Sequence, residues 1–234
     1  MTNYSNVACE KKLNGAHPKH VYFDLDHTLL AGDSDDLWGE FMVTKGVFDG
    51  AEYAAKRRYF SACYKRGALP IEEFLAFMLQ PLARTAKSTL HTWRREFQEL
   101  YLRPRISRAA RALVEGHQQR GQSCILITAT NQFLAEASAD LLGLEKVLAT
   151  QLEVLDGEYT GNMLGTPCFR EGKLHHLRKH FEGHAETWKQ ARFYSDSIND
   201  LALLSAVSHP VAVNPDPALH QHAITQGWPV MTLG

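Results

Sequence analysis

The sequence lacks any apolar run approaching the ~20 residues that span a bilayer. Its first nineteen residues, polar and carrying Lys11, Lys12, Gly15 and Pro18, have none of the apolar stretch of a signal peptide. A membrane span is thereby excluded, and residues 1–19 read as a flexible tail. Neither sign of charge is in excess: 25 Lys and Arg stand against 26 Asp and Glu, a formal net charge of −1. Such a balance singles out neither nucleic acid nor a membrane surface as partner. Cysteine is scarce, and Cys9, Cys63, Cys124 and Cys168 show no paired spacing. Cys124 lies inside an apolar strand, where a buried thiol is expected, which suits a reducing cytoplasm. Internal repeats and low-complexity linkers are missing too, so 234 residues are compatible with one large domain carrying an insertion.

What is present begins with the run His20-Val21-Tyr22-Phe23-Asp24-Leu25-Asp26-His27-Thr28. Val21 to Phe23 is β-branched and aromatic, as a buried strand should be. The strand ends in two carboxylates spaced i, i+2. Such neighbours repel unless a cation lies between them or one keeps its proton, so the pair reads as a metal site, a nucleophile with an acid/base, or both. An ordinary turn or cap would use the same residues. The pattern recurs, however: Ala191 to Tyr194 reads as a strand ending in Ser195-Asp196-Ser197-Ile198-Asn199-Asp200, and Ser123 to Ile127 as one ending in Thr128-Ala129-Thr130-Asn131, where a helix is expected to begin. Strand ends of an open parallel α/β sheet are where ligands bind, so acids, hydroxyls and helix N-termini gathered there describe an anion site with a cation.

Between the first two strands, residues 33–102 carry helical patterning: Leu37, Trp38, Phe41 and Met42; then Tyr53, Tyr59, Phe60 and Cys63; then a helix opened by Pro70; then Leu90, Trp93, Phe97 and Leu100. The fourth helix should stop before Pro104, which restricts Arg103 to extended conformations. Aromatics at these intervals read as the core of a small helical bundle. From Pro104 onward strands and helices alternate in βαβ rhythm, interrupted by an Asp156-Gly157 hairpin, and the tail is the least patterned part. The expected fold class is therefore α/β: a Rossmann-like parallel sheet with helices on both faces, residues 20–32 and 103–234, and an α-helical cap inserted at 33–102.

Asp24-Leu25-Asp26-His27-Thr28 resembles the first motif of the haloacid dehalogenase-like superfamily, Thr128 its second, Lys173 its third, and Asp196-Ser197-Ile198-Asn199-Asp200 its fourth. The four occur in the family's order over residues 20–214. The inserted segment and the Asp-Gly hairpin before Lys173 look most like the phosphoserine phosphatase-like branch. The resemblance implies a phosphatase with Asp24 as nucleophile, forming an aspartyl-phosphate, and Asp26 as the acid and base for the ester oxygen and the attacking water. It implies Mg²⁺, whose oxygen ligands would come from Asp24, Asp196 and the Asp26 carbonyl, with Asp200 either at the metal through water or holding Lys173. Thr128, Lys173, and the N–H groups of Ala129 and Thr130 would bind the phosphoryl oxygens, and Asn199 would contact substrate.

The expected substrate is a small phosphorylated metabolite, with phosphoserine, histidinol phosphate and other amino-alcohol phosphates open. In the phosphoserine phosphatase-like branch a glutamate nine residues after the nucleophile meets the substrate amine. Here that position is Asp33, one methylene shorter, and capping of the first inserted helix explains it equally well. Two rivals use the same scaffold. A carbon–halogen hydrolase shares the Asp nucleophile but needs neither Mg²⁺ nor a leaving-group acid, so Asp26 and the Asp196/Asp200 pair argue against it. A non-catalytic phosphate-binding module would be expected to have lost a nucleophile or metal ligand. His176, His180 and His184 recur at i, i+4 but are completed by no acid or cysteine and read as a solvated face. Arg105, Arg108 and Arg111 lack interleaved aromatics and read as an exposed helix face rather than a nucleic-acid contact.

Overall fold

Short β-branched and aromatic runs form the sheet, as their side chains pack well on a pleated surface buried on both sides. The computed structural model describes residues 18–182 and 184–233. Its first strand, β1 (His20–Phe23), is followed by an all-helical stretch: α1 (Ser34–Thr44), α2 (Gly50–Lys65), α3 (Ile71–Met78), α4 (Gln80–Arg84) and α5 (Lys87–Phe97). A π turn (Gln98–Leu102) and a 3₁₀ turn (Arg103–Arg105) lead into α6 (Arg108–Gln119), capped by the Ser107 hydroxyl. The core resumes with β2 (Ser123–Asn131), α7 (Gln132–Leu142) and β3 (Lys146–Thr150). A hairpin of β4 (Leu152–Leu155) and β5 (Glu158–Met163) follows, then α8 (Glu171–His180), α9 (Ala185–Lys189), β6 (Ala191–Ser195), α10 (Leu201–Leu204), β7 (His209–Val213), α11 (Pro217–Gln226) and β8 (Val230–Met231).

Six strands make one parallel sheet in the order β3-β2-β1-β6-β7-β8, and β4 and β5 pair antiparallel apart from it. β1 lies between β2 and β6, with Phe23 level with Leu126 on one side and Tyr194 on the other. The chain builds outward from β1 through β2 and β3, then returns to build outward through β6. The strand order thus reverses at β1, and a crevice opens at the carboxyl ends there. The α/β class with a helical insert agrees with the sequence reading.

Several local expectations are corrected. Four inserted helices were expected and five form, because Pro81 sits in the first turn of a separate α4, where its missing N–H is not needed. Arg103 is helical rather than extended (φ −52°, ψ −44°): the wider π turn before it makes room for Pro104, which again occupies a first turn. Leu100 and Tyr59, expected in the apolar stripes, are exposed. β2 runs past Ile127 to Asn131, so Thr128 and Thr130 belong to a strand, and Asn131 caps α7. Arg105 and Arg111 do not form an exposed face with Arg108; both are half-buried and donate to the carbonyls of Tyr101 and Leu141. The poorly patterned tail folds as α11, capped by Asp216, and the edge strand β8. Most of the expected tail at 1–19, and Cys9 with it, lies outside the described residues; Cys63, Cys124 and Cys168 are buried free thiols. No helix among the described residues is long and apolar enough to cross a membrane.

The helical insertion divides between two packing environments. Leu37, Trp38, Phe41 and Met42 of α1, with Leu90 and Phe97 of α5, join the same apolar cluster as Val21, Phe23 and Leu126 of the sheet. Trp38 meets Phe97 edge-on at 5.1 Å and Phe133 of α7 at 5.6 Å, tying α1 and α5 to the core. β5 comes so close to α4 that a Cβ on Gly161, whose φ is +83°, would lie 2.8 Å from the Ala83 Cβ. Tyr53 and Phe60 of α2 instead form a smaller cluster with Phe77 and Met78 of α3.

Candidate active site

Asp24 follows β1 directly, and its N–H donates to the Tyr194 carbonyl at 2.9 Å, carrying the parallel pairing one residue beyond the strands. The chain then folds over itself: the Leu25 carbonyl accepts the N–H groups of Thr28, Leu29 and Leu30. That small loop turns the Thr28 hydroxyl back to 3.4 Å from Asp24 Oδ2 and 3.3 Å from Asp196 Oδ1. Asp24 and Asp196, the residues after β1 and β6, therefore face one another across the topological switch.

Lys173 enters from the first turn of α8. A Cβ at the preceding Gly172 would strike the Pro167 carbonyl oxygen at 2.0 Å, so only glycine lets this turn pack close enough to deliver the lysine. Lys173 is 3% exposed, and its Nζ donates to Asp24 Oδ1 and to Asp200 Oδ2, both at 2.6 Å. Burial opposes the ammonium charge, but Asp200 and Asp24 outweigh it and hold the lysine charged, above its ordinary range. Asp200 Oδ2 also accepts from Ser195 at 2.7 Å, which sets it as the anchor of Lys173.

Asp26 is gripped from two sides. Its Oδ1 accepts the Ser34 N–H at 2.7 Å and its Oδ2 the Thr130 hydroxyl at 2.8 Å. Thr128 donates to Thr130 at 3.1 Å, so the two threonines form a relay ending on the carboxylate. Burial first, then the Asp24 charge, push the Asp26 carboxyl up to about 6, against the pull of these hydrogen bonds toward the charged form. Asp196 goes further, up to about 9, through burial and then Asp24 and Asp200. No ion pair among the described residues neutralises it.

A cavity of about 770 Å³ opens above these residues. Its floor carries Asp24, Asp26, Thr128, Ala129, Thr130 and Lys173, and the turn into α1 adds Asp33 and Asp35. Asp33 does cap α1, accepting the Asp36 N–H at 2.9 Å, yet it also lines the cavity, where burial and then Asp26 raise its carboxyl to about 7. Asp35 is 7% exposed, accepts from the Asn131 amide at 3.3 Å, and is held well above the usual carboxylate range by burial and then Asp33. Aromatic rings line it as well: Phe60, Tyr64, Phe74 and Phe77 of the insertion, with Phe169 from the core.

The four motifs now have a geometry, and comparison with known proteins gives them a family. The model of the haloacid dehalogenase-like hydrolases matches residues 21–205. The chain belongs to that family. A histidinol-phosphatase from Neisseria meningitidis serogroup C (strain 8013) is 44% identical over 213 residues, covering 89% of this chain and 96% of that protein. A Bordetella pertussis Tohama I protein with unknown function superposes with a TM-score of 0.85 at 39% identity, over 92% of this chain and 99% of that one. A phosphoserine phosphatase solved as a phospho-aspartyl intermediate analogue has the same fold, with a TM-score of 0.65 at 16% identity over 93% of this chain and 94% of that one.

Within this haloacid dehalogenase-like site, three of the expected residues already have partners in the protein. The Thr130 N–H, expected on the phosphoryl oxygens, donates to Thr128 Oγ1 at 3.2 Å, and the Thr130 hydroxyl donates to Asp26. Asn199 lines the cavity, but its Oδ1 accepts from Arg170 at 3.0 Å and its Nδ2 donates to Ser197, so both ends of the amide are used. Asp200, expected either at the metal through water or holding Lys173, accepts from Lys173 and Ser195 through Oδ2. Among the described residues no three His, Cys, Asp or Glu side chains gather as a metal-binding group. His176 Nε2 donates to the Thr166 carbonyl at 2.8 Å. Sequence reasoning missed Ser34, Ser195 and Arg170, whose partners come from contacts the local pattern does not show; Thr28, quoted within the first motif, had been given no part.

Proposed function

We propose that this haloacid dehalogenase-like hydrolase is a phosphatase whose substrate is histidinol phosphate, an amino-alcohol phosphate with an imidazole arm. One observation carries the choice of substrate: the cavity sets buried acids against an aromatic wall and offers little to a second anion. Arg57, which lines it, is held by Asp36 and Glu40 at 2.9 Å each, and Lys173 by Asp24 and Asp200. Lys65 is the one remaining lysine or arginine among the described lining residues outside an ion pair. Phosphoserine brings an α-carboxylate that needs such a cation. Histidinol phosphate brings an ammonium for Asp33 and Asp35 and a flat ring for the aromatic wall. The 44% identity to a histidinol-phosphatase over nearly its whole length supports the same reading.

The donor set fits Mg²⁺. Two carboxylates converge on one hydroxyl, Asp196 lacks a neutralising partner, and with the Asp26 main-chain carbonyl all donors are oxygen. Asp24, Asp196 and that carbonyl would hold the ion, which supplies positive charge against the phosphoryl oxygens. Lys173 orients Asp24 through Oδ1 and neutralises it in part. An Asp24 oxygen attacks phosphorus as the P–O bond to the alcohol breaks, and Asp26, carrying its proton, passes it to the departing oxygen. Water then attacks the aspartyl-phosphate, Asp26 takes its proton back, and Asp24 and inorganic phosphate separate. The Thr128–Thr130 relay and the Ser34 N–H keep Asp26 aimed through both steps.

The experiment is a comparison of kcat/KM for histidinol phosphate, phosphoserine and an aryl phosphate with added Mg²⁺, in wild type and Asp24→Asn. Histidinol phosphate should lead, and Asp24→Asn should abolish turnover of all three while wild type alone carries an acid-stable, base-labile phosphate on Asp24. Preference for phosphoserine rejects the substrate, and label on Ser or His rejects the mechanism.

A further inference from the structure

Arg170 stands immediately before α8 with φ 53° and ψ −120°, a conformation that glycine favours at the second position of a type II′ turn. The turn is real: the Gly172 N–H closes it on the Phe169 carbonyl at 2.9 Å. An arginine kept where the backbone prefers glycine is strained, and strain persists where other contacts hold it. Those contacts are on its side chain. Nε donates to Asn199 Oδ1 at 3.0 Å, Nη2 donates to the Gly67 carbonyl at 2.5 Å, and the guanidinium lies 5.0 Å from the Phe169 ring centre.

Gly67 lies just past the C-terminal end of α2, 103 residues away in the chain. Beside it the Tyr64 and Ser197 hydroxyls share a hydrogen bond at 2.9 Å, and Ser197 in turn accepts from the Asn199 N–H and amide. The end of α2 is thereby tied to the turn before Lys173 and to the loop between Asp196 and Asp200. The N-terminal half of the helix is fixed to α1, the Tyr53 hydroxyl donating to the Asp36 carbonyl at 2.7 Å; otherwise its aromatic residues pack in the small cluster, and its ion pairs, Arg57 with Asp36 and Glu40 and Lys56 with Glu73, are exposed and weak.

We infer that Arg170 is a positioning residue that latches the end of α2 across the mouth of the active-site cavity, one guanidinium fork bridging the Gly67 carbonyl of the insertion and Asn199 of the core. The guanidinium presents Nε and Nη2 to two acceptors on separate segments; an ammonium donates from a single point, which must come within reach of both to serve them. Release of the fork and of the Tyr64–Ser197 bond opens that side of the cavity, while α1 and α5 stay packed in the core.

The test uses Arg170→Gly, Arg170→Lys and Tyr64→Phe in the full chain. Arg170→Gly removes the latch and the strain together, so its thermal midpoint should match or exceed wild type. Amide exchange over residues 62–70 should accelerate about tenfold or more without change in β2, since local opening there no longer breaks the bridge. kcat/KM should fall at least tenfold, with Arg170→Lys and Tyr64→Phe between the extremes in both exchange and activity. Wild-type exchange at 62–70 in Arg170→Gly overturns the latch. So does a lowered midpoint with exchange raised throughout, which marks a merely structural residue. Exchange is read on the free protein, so this result stands or falls apart from the identity of the substrate.

Discussion

Trp38 and Phe77 belong to the same helical insertion, yet they answer to different parts of the molecule. Trp38 is packed between α5 and α7, inside the cluster that runs on into the sheet. Phe77 stacks on Phe48 at 5.0 Å and faces the cavity among residues that belong to the insertion alone. A segment contiguous in sequence is thus two things in space. α1 and α5 are an extension of the core, and the turn into α1 presents Asp33 and Asp35 from a rigid base. α2 and the Phe77 face of α3 form a wall held at one end by side-chain hydrogen bonds. On the proposed function the difference is a division of labour: the half fixed in the core would read the charge of the substrate, and the half packed separately its shape.

The sharpest way to break that comparison is Trp38→Ala, which should cost about 3–5 kcal/mol of stability, since the surrounding core cannot collapse into the space left. Phe77→Ala should cost less, at or below about 3 kcal/mol, because its cluster is small and borders a cavity. Urea unfolding of both variants decides it, and equal losses would mean that the two halves are one core. On activity, Asp35→Asn should lower kcat/KM for histidinol phosphate about ten- to hundredfold, the range of a hydrogen bond to a charged group, with an aryl phosphate changed less than about twofold. Phe77→Ala should raise KM for the ring-bearing substrate and spare simple phosphates. Losses that fall equally on histidinol phosphate and the simple phosphates, in either variant, would reject the assignment of charge and shape.

A smaller effect separates Thr130 from substrate. Its hydroxyl favours the charged form of Asp26, so Thr130→Val should raise the Asp26 carboxyl above about 6. Asp26 must carry a proton to protonate the leaving oxygen, so activity falls as pH rises through that value, and the edge should move up by about one pH unit in the variant. A pH–rate profile with an aryl phosphate shows it; an unmoved edge would place the hydroxyl elsewhere. The smallest change belongs to Asp33→Asn. Asparagine caps helices as well as aspartate, so stability should hold within a few tenths of a kcal/mol. The loss on histidinol phosphate should be well under that of Asp35→Asn, measured side by side.

The legible parts of the molecule were those set by local pattern. Val21 to Phe23 and Ala191 to Tyr194 announce strands by composition, and the acids that follow them lie where a parallel sheet places its ligands. The insertion's helices are likewise visible in Leu37, Trp38 and Phe41. What stayed hidden depends on chain segments far apart in sequence. Ser34 and Thr130 meet across 96 residues and Tyr64 and Ser197 across 133. Nothing local shows that Trp38 faces the core and Phe77 the cavity. Asn199 has the residue type for binding a substrate, and only the approach of Arg170 shows that its amide is taken. The π turn at 98–102 is a case of tertiary packing overriding a local rule, with Pro104 tolerated where the residue before it should have been extended.

Asp196 has one further consequence, in the language of proton linkage. A carboxyl held at about 9 binds a proton across the neutral range that the unfolded chain, with its carboxyl near 3.8, does not. The folded state without a cation therefore takes up protons, and its stability declines as pH climbs from about 4 through about 9. A divalent cation at Asp24 and Asp196 would enter by exchange, releasing that proton to solvent. Cation affinity then rises with alkalinity, and calorimetric heats of binding depend on the buffer that receives the proton. The protein behaves in this respect as an acid whose conjugate base is the form that a cation would bind.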